Sequence, residues 1–247
     1  MNDYFQNIIL KRYSNKEFAR KYSKTSLKGL KDYEKILVDN FLKDKNRILV
    51  VGCGCGREAF PLAKKGKKIT AIDISKEMIS EARKISKKKH ARIKWIVGNI
   101  LKANFNQEKF DAILLFNCVI NQIPSHKKRK LALRKIHKLL VKKGIIICVS
   151  NNAYYPGKGL CNYIEHFKEA TRLLMGNKKE GFSDRVYKTK NGQVYLHLPS
   201  RKYLKSLLAE KFRLILVTSN ENIKCKKIRN KMLGFFDELI IIVGEKK

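Results

Sequence analysis

The sequence lacks several patterns that would assign a protein class at once. None of its six cysteines forms a Cys-x-x-Cys pair, no apolar run reaches the length of a membrane span, and the first residues lack the charged-then-apolar order of a secretory signal. The apolar content of 44% excludes a disordered chain. We therefore expect a globular protein with free, buried thiols in a reducing cytoplasm, with no membrane partner and no metal site.

Acidic residues are also scarce. The chain has 21 Asp and Glu against 56 Lys and Arg, which gives a formal net charge of +35. A field this positive attracts nucleic acid and other polyanions. However, lysines outnumber arginines and are spread over nearly every segment, which suits a proteome-wide bias or a salty cytoplasm equally well. Both explanations of the charge stay open.

The 247 residues suffice for one α/β domain, and apolar runs alternate with helical patterns through most of them. A polar, aromatic-containing segment begins the chain, and Gly66 and Gly144 stand where helices should end. This βαβ repetition indicates a doubly wound, mostly parallel sheet with helices on both faces. Helices are predicted at 27–42, 57–65, 76–88 and 126–142, and strands at 47–51, 68–73, 93–97, 110–116 and 144–150. The basic face of the helix at 126–142 is interpreted as a solvated surface.

The regular alternation stops after Ser150. An insertion with its own structure follows, with an amphipathic helix at 160–175 and a hairpin at 186–198 that turns at Asn191-Gly192. A helix at 200–211 and strands at 212–218 and 235–244 then complete a seven-stranded sheet whose last strand is antiparallel. We divide the chain into an N-terminal cap (1–26), a cofactor-binding half (27–151), an insertion or substrate lid (152–199), and a C-terminal helix with closing strands (200–247).

The most informative stretch is Ile48-Leu-Val-Val-Gly-Cys-Gly-Cys-Gly-Arg-Glu58. An apolar strand ends there in Gly52, Gly54 and Gly56, which allow a tight turn and leave room for a ligand against the backbone. Seventeen residues after Gly56, a second apolar run ends in Asp73. A glycine-rich first turn with an acid at the end of the second strand predicts a bound nucleoside. The carboxylate would accept hydrogen bonds from the ribose hydroxyls.

The glycines fit two registers. From Gly54 the loop matches the dinucleotide pattern Gly-x-Gly-x-x-Ala, whereas from Gly52 it reads Gly-x-Gly-x-Gly, with Arg57 where a third dinucleotide glycine would stand. The junction with the strand favours the second register. A P-loop is excluded because no Gly-Lys-Ser or Gly-Lys-Thr follows.

At this point the chain resembles the class I S-adenosylmethionine-dependent methyltransferases, over roughly residues 30–150 and 200–245. The resemblance rests on five segments: Val51-Gly-Cys-Gly-Cys-Gly56, Ile72-Asp-Ile-Ser-Lys-Glu-Met78, Val97-Gly-Asn-Ile100, Phe110-Asp-Ala-Ile-Leu-Leu-Phe-Asn117 and Leu139-Leu-Val-Lys-Lys-Gly144. It implies S-adenosylmethionine as cofactor. The residues that it assigns to cofactor binding are Gly52, Cys53, Gly54, Gly56, Asp73, Ile74, Met78, Asn99, Ile100, Phe116 and Asn117.

Two positions depart from the family pattern. Val50 stands where an acid usually precedes the first glycine, and Asn99 replaces the usual Asp beside the adenine, although its amide oxygen still accepts a hydrogen bond. Both changes remove negative charge near a cationic cofactor.

The resemblance implies methyl transfer by in-line displacement to a small molecule or a tRNA nucleoside; the alternative is a basic RNA-binding module that keeps the fold without catalysis. No dyad or triad identifies a catalytic base. Asn117, Tyr154 and His197 are candidates, although the strand phase predicts a surface or lid-facing position for His197. Residues predicted to contact the substrate are Tyr22, Asn121, Asn151, Tyr154, Tyr155 and His197.

Overall fold

The computed structural model describes residues 2–153, 155, 184–189, 192–225 and 237–247. Two helices open the chain, and a third precedes the first strand. The helices are α1 (Asn2–Tyr13), α2 (Lys16–Ser26), α3 (Asp32–Phe41), α4 (Ala59–Lys64), α5 (Lys76–Lys88), α6 (His126–Leu139), α7 (Arg201–Ala209) and α8 (Asn220–Cys225), with a 3₁₀ turn at Val119–Gln122. The strands are β1 (Arg47–Val51), β2 (Lys68–Asp73), β3 (Ile93–Val97), β4 (Phe110–Leu115), β5 (Leu140–Asn151), β6 (Asp184–Thr189), β7 (Gly192–His197), β8 (Phe212–Ser219) and β9 (Leu239–Lys246).

Seven strands form one sheet in the order β3-β2-β1-β4-β5-β9-β8. The first five are parallel, and β9 runs antiparallel between β5 and β8. β6 and β7 form a separate antiparallel hairpin in which Thr189 pairs with Gly192. The predicted sheet, its antiparallel last strand and the hairpin are thus confirmed. The predicted helix at 160–175 and the turn residue Asn191 lie outside the described residues.

Alternating side chains of each strand form two cores, one on each face of the sheet. Ile48 and Val50 of β1 pack with α3, α4 and α5, whereas Leu49 and Val51 pack with α6 and α7. Helices on both faces of a parallel sheet place the carboxyl ends of β1, β2, β3 and β4 along one edge, which is where this architecture binds ligands.

Several predicted boundaries were wrong. The helix predicted from Leu27 begins only at Asp32, because Gly29 adopts a φ of +71° and breaks the chain direction after α2. The helix predicted to reach residue 142 ends at Leu139, and β5 begins at once. Gly144 is therefore a residue inside β5 rather than a helix end; an added Cβ there would lie 2.9 Å from the Val141 carbonyl oxygen. The last strand begins at Leu239, not at 235.

Candidate functional site

The glycine loop after β1 is a backbone cradle. Gly52, Gly54 and Gly56 adopt φ values of +64°, +51° and +91°, a region that favours glycine. An added Cβ at Gly52 would lie 2.4 Å from Val119 Cγ2, and one at Gly54 would lie 3.2 Å from Tyr22 Cε1. The loop therefore brings bare backbone against the residues that cover it.

Asp73, the last residue of β2, points its carboxylate at this loop. Its Oδ2 accepts a hydrogen bond from the Gly54 N–H at 2.7 Å, and its Oδ1 accepts one from the Ser75 N–H at 2.9 Å. Burial raises the pKa of the carboxyl group, and the hydrogen bonds from Ser75, Gly54 and Ile74 oppose that rise. Because each carboxylate oxygen has about two acceptor sites, each keeps capacity for a hydroxyl donor of a ligand.

The neighbouring strand end supplies a largely apolar wall. Gly98, Asn99 and Ile100 follow β3, and Ile74 and Met78 follow β2. Asn99 Oδ1 accepts a hydrogen bond from the Leu101 N–H at 2.9 Å, which shapes the turn after β3. The apolar side chains leave room for a flat ring between the two strand ends.

The N-terminal helices form a roof over the pocket. Tyr22 of α2 lies above Gly54, and its hydroxyl accepts a hydrogen bond from Asn117 Nδ2 at 3.0 Å. The hydroxyl of Tyr13 accepts a hydrogen bond from Gln122 Nε2 at 2.7 Å. The roof is thus tied to the chain that follows β4 on the opposite side of the pocket.

The backbone after β4 is strained. Asn117 and Cys118 have φ values of +51° and +62°, which Asn tolerates and Cys rarely adopts. Cys118 Sγ donates a hydrogen bond to Asn151 Oδ1 at 3.0 Å. Such outliers cluster at functional sites, where the surrounding structure holds them in place.

A buried ionic cluster supports the loop from below. The guanidinium of Arg57 binds Glu34 of α3 through two hydrogen bonds of 2.6 and 2.8 Å and also pairs with Glu58. Burial raises the pKa of Glu58 to about 7, although the charge of Arg57 acts to lower it. Arg57, which displaces the third dinucleotide glycine in the sequence pattern, thereby fastens the end of the glycine loop to α3.

The expected surface position of His197 was wrong, whereas most of the predicted lid lies outside the described residues. His197 is 1% exposed, on the same face of β7 as Tyr195, and both side chains share Oδ1 of Asp184 at 2.9 and 2.7 Å. The carbonyl oxygen of His197 accepts a hydrogen bond from Asn121 Nδ2 at 2.6 Å. His197 and Asn121 therefore fasten the hairpin to the 3₁₀ turn and are not among the described residues that line the pocket.

The pocket wall contains most of the predicted cofactor residues. Those that line it are Gly52, Gly54, Asp73, Ile74, Met78, Asn99, Ile100 and Asn117, together with the predicted substrate residue Tyr22. Cys53 and Phe116 are buried in the core, and Gly56 packs against Trp95 and Phe60. The side chain of Asn151 accepts a hydrogen bond from Cys118, and neither Asn151 nor Tyr155 lines the pocket. Tyr154 lies outside the described residues.

Apart from Tyr22, the sequence did not identify the residues on the roof side of the pocket. Gln6, Ile9 and Tyr13 of α1, Gln122 of the 3₁₀ turn and Lys128 of α6 all line it. Lys128 Nζ donates a hydrogen bond to Gln6 Oε1 at 3.3 Å. The aromatic residues of the N-terminal segment were the only signal of this wall, because its contacts join residues about a hundred positions apart.

These residues fit a nucleoside cofactor that carries positive charge. The wall offers one carboxylate at the glycine cradle and apolar side chains for a ring. Hydroxyl donors or a cationic group of a ligand would satisfy the Asp73 carboxylate, and Lys128 is the one cation of the described wall.

Residues 48–144 match the family model described as a methyltransferase domain. A putative methyltransferase of Geobacillus sp. (strain WCH70) is 27% identical over 108 residues, which make up 44% of this chain and 43% of that protein. The match thus spans less than half the length of the curated relative.

Solved structures share the fold over most of the chain. A SAM-dependent methyltransferase from Methanosarcina mazei matches with a TM-score of 0.66 and 20% identity, covering 88% of this chain and 98% of that one. An S-adenosylmethionine-dependent methyltransferase from Clostridium acetobutylicum matches with a TM-score of 0.65 and 18% identity, covering 93% and 98%. The N-methyltransferase NodS from Bradyrhizobium japonicum, solved with S-adenosyl-L-homocysteine, gives a TM-score of 0.54 and 16% identity, covering 87% and 85%.

Proposed function

We propose that this chain, whose residues 48–144 match a methyltransferase domain, is a class I S-adenosylmethionine-dependent methyltransferase that moves a methyl group to a nucleophilic atom of a small molecule or of a tRNA nucleoside. S-adenosylmethionine is the cofactor of this family, as the sequence predicts. The observation that carries the proposal is the position of Asp73, a buried carboxylate that only neutral backbone donors hold against the glycine cradle.

In this proposal each wall has one task in holding the cofactor. The carboxylate of Asp73 accepts hydrogen bonds from the ribose hydroxyls, and the backbone of Gly52 and Gly54 leaves room for the methionine portion of the cofactor. Ile74 and Ile100 pack on the two sides of the adenine. The carboxylate of Asp73 also offsets the positive charge of the cofactor. Val50, which stands where an acid is usual, is buried and contributes no such charge.

S-adenosylmethionine, when bound, supplies a sulfonium methyl group that is already activated for attack. The protein then has to orient the acceptor and exclude water. Tyr22 and Tyr13 exclude water, because they close the roof over the pocket through hydrogen bonds with Asn117 and Gln122.

The residues of the described wall also bear on the chemical class of the methyl acceptor. It holds no histidine and no glutamate, and its one carboxylate, Asp73, is assigned to the ribose. A neutral amine or a ring nitrogen attacks without prior loss of a proton, whereas an alcohol gains from a general base. Burial raises the pKa of Tyr13 and Tyr22, which disfavours either tyrosine of the described wall as a base. Nitrogen acceptors therefore suit the described pocket better than hydroxyl acceptors.

Calorimetric titration with S-adenosylmethionine tests the cofactor site. Asp73→Asn removes the charge but keeps the shape, and we expect roughly 10- to 100-fold weaker binding, the usual loss for a charged hydrogen bond. Asp111→Asn is the matched control, because Asp111 also accepts hydrogen bonds from two backbone N–H groups, of Asn46 and Arg47, but at the opposite edge of the sheet.

The cofactor site would be rejected if the wild-type protein failed to bind S-adenosylmethionine, or if the two variants bound it equally well. The acceptor class is tested by transfer of a tritiated methyl group to total cellular RNA and, separately, to a metabolite extract. Cofactor binding without transfer to either fraction would instead favour the non-catalytic RNA-binding module.

A further inference from the structure

Positive charge is denser on α6 than on any other helix of the described chain. This helix carries five lysines and two arginines and no acidic residue. By contrast, α5 intersperses Glu77 and Glu81 among its basic residues, and α3 carries three acids. The shorter helices α4 and α7 also lack acids but carry only one and three cations, so α6 stands out by the number of its cations.

Packing explains only some of the cations of α6. Arg129 is buried and donates to the Ile123 carbonyl oxygen at 2.9 Å, and Lys135 donates to carbonyl oxygens of the loop after β3. Lys130 pairs with Glu210 at 2.8 Å. In the described part of the chain, Lys127, Arg134 and Lys138 have no ion pair and are exposed.

Stability does not account for the remaining cations either. Lys127 and Lys128 lie in the first turn of α6, where the helix dipole favours acids and where the helix has none. Lysines at this end oppose the helix dipole and therefore cost stability.

The exposed cations form one stripe. Lys127, Leu131, Arg134 and Lys138 recur at spacings of three and four residues, which places them on one face of the helix. Leu131 is 42% exposed in the middle of the stripe, an apolar side chain among cations. At a rise of about 1.5 Å per residue the stripe is roughly 16 Å long, which corresponds to about five phosphates of one strand along a duplex axis.

Both ends of the stripe continue into other features. At the end of α6, Lys109 Nζ donates to the Lys138 carbonyl oxygen at 2.8 Å. Lys109 also lines a cleft at the amino-terminal edge of the sheet, whose other cations are Arg47, Lys68, Arg92 and Lys94. At the start of α6, Lys128 lines the cofactor pocket. We name the surface of Lys109, Lys127, Leu131, Arg134 and Lys138 the basic ribbon.

We infer that the basic ribbon binds the phosphate backbone of an RNA strand and that the methyl acceptor is a nucleoside of that RNA. The second part rests on the proposed methyl transfer, whereas the first does not. Lysine acts as a point charge on phosphates and carries no sequence information, so the ribbon positions the strand while the pocket selects the nucleoside. A small anion would need one cationic site and not a row that runs from the sheet edge to the pocket.

Fluorescence anisotropy with a labelled RNA hairpin tests the ribbon. The variant Lys127→Gln/Arg134→Gln/Lys138→Gln removes three cations that do not line the cofactor pocket. Lys87→Gln/Lys88→Gln/Lys89→Gln is the matched control, because it removes the same charge from exposed positions at the end of α5. Affinities are measured between about 50 and 200 mM salt, and a DNA hairpin of the same sequence forms the second arm.

We expect the ribbon variant to bind RNA at least 10-fold more weakly than the control variant. The slope of log K against log salt should become shallower by about 2, since each lost phosphate contact removes roughly 0.7. RNA should bind more tightly than DNA. Equal losses in the two variants would overturn the inference and assign binding to net charge; tighter DNA binding would overturn the choice of RNA.

Calorimetry with S-adenosylmethionine on the same ribbon variant separates the two proposals. The cofactor affinity should be unchanged, because the substituted residues lie outside the pocket wall. If the wild-type protein binds RNA through the ribbon but not S-adenosylmethionine, the proposed function fails and the ribbon stands. If it binds S-adenosylmethionine but the ribbon variant binds RNA as the control does, the ribbon fails and the cofactor site stands.

Discussion

Tyr22 connects two sides of the pocket through a single hydroxyl group. It lies above Gly54, and its oxygen accepts the hydrogen bond from Asn117. A hydrogen bond of this kind is worth about 1 kcal/mol, or roughly fivefold in an equilibrium constant. The roof over the pocket therefore depends measurably on one oxygen atom.

We predict that Tyr22→Phe speeds dissociation of S-adenosylmethionine about threefold to tenfold, because α2 loses its tie to the chain after β4. Stopped-flow fluorescence measures the rate, and Tyr4→Phe on the exposed surface of α1 is the control. An unchanged dissociation rate in Tyr22→Phe would mean that the roof closes without this bond.

Glu58 makes stability depend on pH. Its pKa is about 7 in the folded protein and 4.5 as the reference, so the folded state binds the proton more tightly than the unfolded state. The free energy of unfolding therefore falls as the pH rises from about 4.5 to 7, and it changes little through this group above that range. We predict a loss of about 3 kcal/mol from this group.

Urea denaturation at several pH values checks this prediction. Glu58→Gln should remove most of the decline, because glutamine does not titrate and its oxygen still accepts from Arg57. Glu17→Gln, on the exposed surface of α2, should leave the decline intact. The same decline in Glu58→Gln and in the wild type would exclude Glu58 as its source.

At the scale of elements, α1 of the roof rests on a core much smaller than the two cores of the sheet. Ile8 and Ile9 of α1 pack against Tyr195 of the hairpin in a small core separate from those of the sheet. We predict that Ile8→Ala lowers hydrogen-exchange protection across α1 and weakens cofactor binding, because an open roof reduces the population competent to hold the cofactor. Removing this buried side chain should cost about 2–4 kcal/mol locally.

Leu27→Ala is the control for the roof, since Leu27 is 59% exposed and its truncation should change neither quantity. Amides of β1 should exchange equally in the two variants. If Ile8→Ala instead accelerated exchange across β1, the roof and the sheet would unfold as one unit.

The sequence predicted the sheet well because its strands are continuous runs of Val, Ile and Leu bounded by glycine or charge. It predicted helix ends poorly. Leu30 continues the apolar spacing of α3 and is buried, yet it lies before the helix, because Gly29 turns the chain first. Leu140 likewise continues α6 in spacing but begins β5, where pairing with Phe110 prevails over helical preference.

The candidate site divides along the same line. Gly52, Gly54 and Asp73 were predictable because a short loop and a strand end define them locally. The contacts of Tyr22 with Asn117 and of Tyr13 with Gln122 join residues 95 and 109 positions apart, and no local pattern encodes such a pairing. The prediction for His197 failed because the alternation of β7 assigned its side chain to solvent. In the structure that face of β7 packs against α1 and the 3₁₀ turn.

At the scale of the whole molecule, the net charge of +35 opposes compactness. Salt screens this repulsion, since the Debye length falls from about 30 Å at 0.01 M to about 10 Å at 0.1 M. We predict that the urea midpoint rises between those two salt concentrations, with a gain on the order of 1 kcal/mol in the free energy of unfolding. Sucrose at matched osmolarity should not reproduce the shape of this curve, and a midpoint that fell with salt would show that specific ion pairs outweigh the repulsion.

The packing of α1 on β7 also has a consequence for the timing of synthesis. The apolar face of Ile8 and Ile9 leaves the ribosome among the first residues, whereas Tyr195 follows some 180 residues later. At about 5–20 residues per second, that interval is roughly 10 to 40 s. During it the sheet can begin to form from β1 to β5 while the first helix has no final partner, which makes the nascent N-terminus the segment of this chain most in need of a chaperone.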